Sequence, residues 1–187
     1  MSMAITLTDE EKLYLLKLAR ETIAARLERR TPEAMEEPKG ALMEYCGAFV
    51  TIHLRGALRG CIGQMTGVRP LFETVREMAI ASAFQDPRFP PLTREEFQSI
   101  DIEISVLTPL ERIEDVNTVE VGKHGLYMKR GYHSGVLLPQ VPLEQGWDRE
   151  TFLAQTCRKA GMESSCYLDP KTEIYTFEAI VFGEKER

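Results

Sequence analysis

Ala48-Phe49-Val50-Thr51-Ile52-His53-Leu54-Arg55-Gly56-Ala57-Leu58-Arg59-Gly60-Cys61-Ile62 is the stretch whose reading decides the fold. Ala48, Val50, Ile52 and Leu54 alternate with Phe49, Thr51 and His53, the two-residue period of a strand with one buried face. In Arg55-Gly56-Ala57 the glycine can take a positive φ without a Cβ clash, so the chain can reverse there. A second strand from Leu58 to about Ile62 then pairs with the first as an antiparallel hairpin.

Outward from this hairpin, helices and strands alternate irregularly. Thr8-Asp9-Glu10-Glu11 has the form of a capping box, and Leu13, Leu16, Ile23 and Leu27, with Ala19 and Ala24, make an apolar helical face behind it. Arg26, Arg29 and Arg30 fall in that helix's last turn, where cations offset unpaired carbonyls; this explains them better than a phosphate site does. Residues 31–40 read as a surface connection. Pro70 to Phe84 reads as a helix that Asp86-Pro87-Arg88-Phe89-Pro90-Pro91 cannot continue, because proline removes a donor. Thr93-Arg94-Glu95-Glu96 repeats the capping pattern. Ile100, Ile102, Ile104 and Val106 alternate with Asp101, Glu103 and Ser105 in a further strand.

From about Val116 the texture changes to a smaller hairpin around Arg130–Gly135. A helix follows from Arg149 to Ala160, capped by Asp148 and stopped by Gly161, and a last strand runs from Ile174 to Phe182. Short hairpins and irregular alternation favour an antiparallel α+β fold over a doubly wound parallel sheet. The expected organisation is one domain, 1–187, with a larger lobe of 1–115 plus 171–187 and a smaller inserted lobe of 116–170.

Composition narrows the function classes. With 43% hydrophobic and 28% charged residues, the 187-residue chain can bury a core without a disulfide or metal staple. A net charge of −6 argues against nucleic acid as the main partner, because phosphate neutralisation needs a concentrated basic surface. Met1-Ser2-Met3-Ala4-Ile5 has no basic region leading into an apolar stretch, and no apolar run approaches the length that spans a bilayer. These features point to the cytoplasm, where free thiols are the default. Cys46, Cys61, Cys157 and Cys166 show neither Cys-x-x-Cys nor paired Cys/His spacing, so no metal site is expected.

Leu58-Arg59-Gly60-Cys61-Ile62-Gly63 is the stretch best suited to chemistry. Regular alternation puts Arg59 and Cys61 on one strand face, and a guanidinium beside a thiol favours the nucleophilic thiolate. Gly60 and Gly63 leave backbone open to a ligand, in neither G-x-G-x-x-G nor Walker A spacing. Against this stands the commoner role of a strand cysteine as a small buried hydrophobe. Cys157 and Cys166 read as packing residues, and Cys46 has no distinguishing context. His124, between Gly122 and Gly125, can serve as a general base or sit as a solvated turn residue. His53 reads as packed, Asp101 and Glu103 as paired or wet, and Asp86 with Arg88 as a local ion pair.

Leu58–Gly63 resembles the signature hexapeptide of the AMMECR domain family, also called AmmeMemoRadiSam system protein A. Similar stretches follow in order along nearly the whole chain: Asp86–Phe89, Ile102–Leu107, His124–Leu126, Leu137–Val141 and Tyr175–Ala179. One departure is that similar proteins often carry a tryptophan near Cys166-Tyr167. The resemblance implies a two-lobed α+β fold with antiparallel sheets flanked by helices, and a cleft between lobes to which the hexapeptide contributes. It implies association with a Memo-like protein and a radical S-adenosylmethionine enzyme, but no agreed activity and no known cofactor. The site expected on these grounds has Cys61, Arg59 and His124 as chemical groups. Leu58, Gly60, Ile62, Gly63, Asp86, Arg88, Pro139 and Gln140 would bind a small ligand. A non-catalytic adaptor is the alternative, and a homodimer is left open.

Overall fold

A computed structural model describes residues 5–185; the leader-free reading of residues 1–4 lies outside them. The chain forms two compact units. One runs up to Leu107 and resumes at Ile180, and the other is Thr108–Ala179.

In the first unit, helix α1 (Asp9–Glu28) starts at Thr8, whose hydroxyl accepts from the Glu11 amide while the Glu11 side chain accepts from the Thr8 amide. Its buried side is Leu15, Leu16, Leu18, Ala19, Thr22, Ile23, Ala24 and Ala25. Leu13, expected on that side, is exposed instead. The sheet of this unit has the order β2-β1-β3-β8, from β1 (Ala48–Leu54), β2 (Ala57–Gln64), β3 (Ile100–Leu107) and β8 (Ala179–Gly183). Arg55 and Gly56, with φ of 52° and 83°, form the two-residue turn between β1 and β2.

One sheet face carries Val50, Ile52, Ile102 and Ile104, all fully buried, and packs with α1 and α2 (Leu71–Phe84). Each such side chain contributes about 1.5–3 kcal/mol on burial. The opposite face is polar yet buried: Thr51, Asp101, Glu103 and Ser105 are all enclosed. Helix α3 (Arg94–Phe97) carries the second capping box at Thr93.

The second unit has a sheet of order β4-β7-β5-β6: β4 (Glu111–Ile113), β5 (Gly125–Arg130), β6 (His133–Leu137) and β7 (Glu173–Phe177). Its core gathers Leu126, Met128, Phe152, Leu153 and Ile174, with α5 (Arg149–Lys159) starting at Asp148. Because β4 pairs with β7, this unit extends outward from the expected 116–170 to Thr108 and Ala179. The single strand expected over Ile174–Phe182 is two strands, β7 and β8, one in each sheet. Short helix α4 (Gln140–Gln145), which sequence alternation does not reveal, begins after Pro139.

Not every cysteine is a free thiol. Cys157 and Cys166 are fully buried and disulfide-bonded, tying α5 to the turn at Cys166–Leu168. Both sulfurs lie against Met128 Sδ, at 3.6 and 3.7 Å. Cys46 and Cys61 carry no disulfide.

Candidate functional site

The hexapeptide lies on β2, an edge strand, and most of it is spent on packing. A Cβ on Gly60 would lie 2.1 Å from the Ser82 carbonyl oxygen, so this glycine exists to let α2 touch the hairpin. Ser82 Oγ accepts from the Ile62 amide at 2.9 Å and donates to the Val50 carbonyl at 2.7 Å, which ties the same contact. A Cβ on Gly63 would sit 2.2 Å from the Phe49 ring. The expectation that these glycines leave backbone open to a ligand is therefore corrected: the protein's own atoms fill the space. Ile62 packs against the core, and Leu58 is exposed.

Arg59 is committed to hydrogen-bond partners of its own. The β1–β2 register pairs Ile52 with Gly60 but His53 with Leu58, leaving Arg59 as the extra residue of a β-bulge. Regular pairing holds from Gly60 and Cys61 onward, and the extra residue is accommodated just before them. Arg59 is 6% exposed; its Nε donates to Glu96 Oε2 at 2.8 Å and its Nη2 to the Pro90 carbonyl at 2.7 Å. Through that bond Arg59 holds the Glu96 carboxyl below its ordinary range.

The guanidinium near Cys61 belongs to Arg88. Asp86, 4% exposed, takes Arg88 Nη2 on Oδ2 at 2.7 Å and Arg88 Nε on Oδ1 at 3.0 Å. The same Asp86 Oδ2 accepts from the Cys61 amide at 3.0 Å. Arg88 foremost, and that amide next, hold the Asp86 carboxyl far below the usual carboxylate range. The paired carboxylate in turn raises Arg88, and negative charge on Cys61 raises it further. Arg88 Nη2 also reaches toward the Cys61 carbonyl at 3.4 Å.

Across the sheet, Cys61 opposes Thr51, which opposes Glu103, so the three stand in a row on the polar face. Thr51 Oγ1 is 3.2 Å from Cys61 Sγ, and Cys61 is partly exposed. One row along, His53 opposes Asp101, with Nδ1 3.9 Å from Asp101 Oδ2. Sequence pattern alone does not mark Thr51 or Glu103 as site residues; the alternation of Ile100–Val106 puts Glu103 on the polar face, and pairing with β1 brings it into line.

Cys61, Thr51, Asp86, Arg88, Arg59 and Glu103 thus belong to one unit. His124, Pro139 and Gln140 belong to the other. His124 Nδ1 accepts from the Glu120 amide at 3.0 Å, closing a local turn. Pro139 and Gln140 start α4. Among the described residues no group of three or more His, Cys, Asp and Glu side chains is placed to hold a metal, and no helix is long and apolar enough to cross a membrane.

Known proteins are similar to this chain over nearly its whole length. A protein of Nanoarchaeum equitans is 44% identical over 179 residues, covering 92% of this chain and 99% of the relative. Protein PH0010 of Pyrococcus horikoshii is 44% identical over 196 residues, covering 98% and 94%. The crystal structure of PH0010 superposes with a TM-score of 0.91 at 43% identity, covering 96% of this chain and 94% of that one. The family model AMMECR1 matches residues 16–182, a span that takes in both sheets, the Leu58–Gly63 stretch and the Asp86–Arg88 pair. The chain belongs to the AMMECR1 family.

Proposed function

We propose that Cys61 is the reactive group of an enzyme or enzyme component, acting as a thiolate nucleophile or covalent carrier. The observation that carries this reading is the setting of its sulfur. Thr51 Oγ1 lies 3.2 Å away, and the Arg88 guanidinium is fixed nearby by a buried Asp86 that also pins the Cys61 backbone. A hydroxyl able to donate to the thiolate once it forms, and a positive charge close by, both favour the ionised form. Asp86 is then a positioning residue: it orients the cation and the strand without touching the sulfur. Arg59 stabilises the bulge rather than the thiolate. Action in the cytoplasm alongside a Memo-like protein and a radical S-adenosylmethionine enzyme belongs to the same proposal.

Alkylation by iodoacetamide at pH 7 tests the reassignment of the cation. Arg88→Ala is expected to slow modification of Cys61 by about fivefold to tenfold, since losing a nearby charge shifts a thiol by about one pKa unit. Arg59→Met combined with Glu96→Gln removes the other pair as a unit and is expected to leave the rate within about twofold on the same argument. Equal effects of the two variants would overturn the role given to Arg88. An adaptor without chemistry is the second reading, favoured by the half-exposed, pinned Arg88 guanidinium as a recognition element. In that case Cys61 reacts no faster than an ordinary thiol in either background.

A further inference from the structure

A concave feature lies on the first unit, with Cys61 not among its lining residues. It is an open groove of about 490 Å³ between the end of α1 and the face of α2. Arg26 and Arg30 line it from one side, Arg69 and Arg76 from the other, with Glu73 and Glu77 beside them. The volume falls within the range of small-molecule sites. All four cations are arginines, whose planar fork matches phosphate oxygens. This concentration runs against the balance of the whole chain, in which acidic residues outnumber basic ones by 29 to 23.

The four arginines are not equivalent. Arg30 is held by Glu21 and Glu28, and Arg69 Nη1 meets Glu77 Oε2 at 2.7 Å. Those two are offset by carboxylates. Arg26 and Arg76 instead rest on aromatic rings, Arg26 at 5.9 Å from the Phe84 centroid and Arg76 at 5.5 Å from that of Phe72. A ring face orients a guanidinium without consuming its N–H donors or cancelling its charge. Ala25, Pro32 and Ile80 supply apolar surface between them. Two ring-oriented guanidiniums outside any ion pair given above thus line one groove, with Glu73 the remaining carboxylate beside them.

We propose that this groove binds a small phosphate-rich anion, a di- or triphosphate, gripped by Arg26 and Arg76. It stands independently of the Cys61 reading. The helix-end explanation of the basic cluster accounts for Arg26 by local electrostatics alone; the structure adds Arg69 and Arg76 from a separate part of the chain.

Calorimetric titration of the full chain with inorganic pyrophosphate tests this. Saturable binding that weakens with added salt is expected. Arg26→Ala and Arg76→Ala, both at exposed positions, are each expected to lower affinity about tenfold or more, the effect of losing a charge-assisted contact. Arg112→Ala, in the other unit, is expected to leave it unchanged. Absence of saturable heat, undiminished binding in the Arg26 and Arg76 variants, or an equal loss in the Arg112 variant would each overturn the site.

Discussion

Gly60→Ala is expected to destabilise the protein by at least about 3 kcal/mol, at the top of the range for overpacked cores. The added methyl would meet the Ser82 carbonyl oxygen at 2.1 Å and its carbon at 3.1 Å, and both belong to helix backbone, which cannot rotate aside as a side chain can. Relief requires α2 to move off the hairpin. That motion would break the Ser82 bonds to Ile62 and Val50 and separate Asp86 from the Cys61 amide. In thermal unfolding the loss corresponds to a drop in Tm on the order of 10 °C for a chain of this size. Gly56→Ala is the useful contrast. No atom lies within 4 Å of its added Cβ, and only the φ of 83° opposes it, at about 1–2 kcal/mol. A Gly60→Ala protein as stable as its parent would show that the close helix–strand contact does not exist.

Reduction of the Cys157–Cys166 bond is the second large effect. Closing a loop of sequence separation 9 removes denatured-state entropy worth about 3 kcal/mol in the chain-entropy account. Unfolding in urea with and without a phosphine reductant measures it directly. In denaturant without reductant, thiol titration should count Cys46 and Cys61 alone, and after reduction all four cysteines. Four reactive thiols before reduction would remove the bond from the account.

The fold was legible where a pattern repeats over several residues. Alternation through Ala48–Leu54 and Ile100–Val106, the Arg55–Gly56 reversal, and two capping boxes at Thr8 and Thr93 each express a local physical preference strong enough to survive in the structure. What escaped were single-residue irregularities and long-range pairings. The bulge at Arg59 breaks the two-residue period, and only the neighbouring Gly60 hints at the break. Glu178 separates β7 from β8 without a proline or glycine to signal it. The Cys157–Cys166 spacing matches no local motif, and the bond depends on α5 meeting the turn after it. Leu13 fitted a helical stripe as well as Leu15 did, and only packing with other elements decides which is buried.

The site followed the same division. Cys61 was identifiable from its context, and the Asp86–Arg88 pair from proximity in sequence. Joining them needed α2 to carry Asp86 to the edge of β2, a contact made possible by Gly60. The hexapeptide's glycines therefore serve assembly first, and chemistry only through what that assembly positions.

The most direct measurement is competitive alkylation within a single chain at pH 7, with Cys61 and Cys46 followed by peptide mapping. Burial first, and then Glu44, push the Cys46 thiol up to about 11, making it a slow internal reference. The account predicts that Cys61 in the native protein is modified faster than in the urea-unfolded chain, while Cys46 is modified more slowly than in that chain. A Cys61 that reacts no faster folded than unfolded would contradict it.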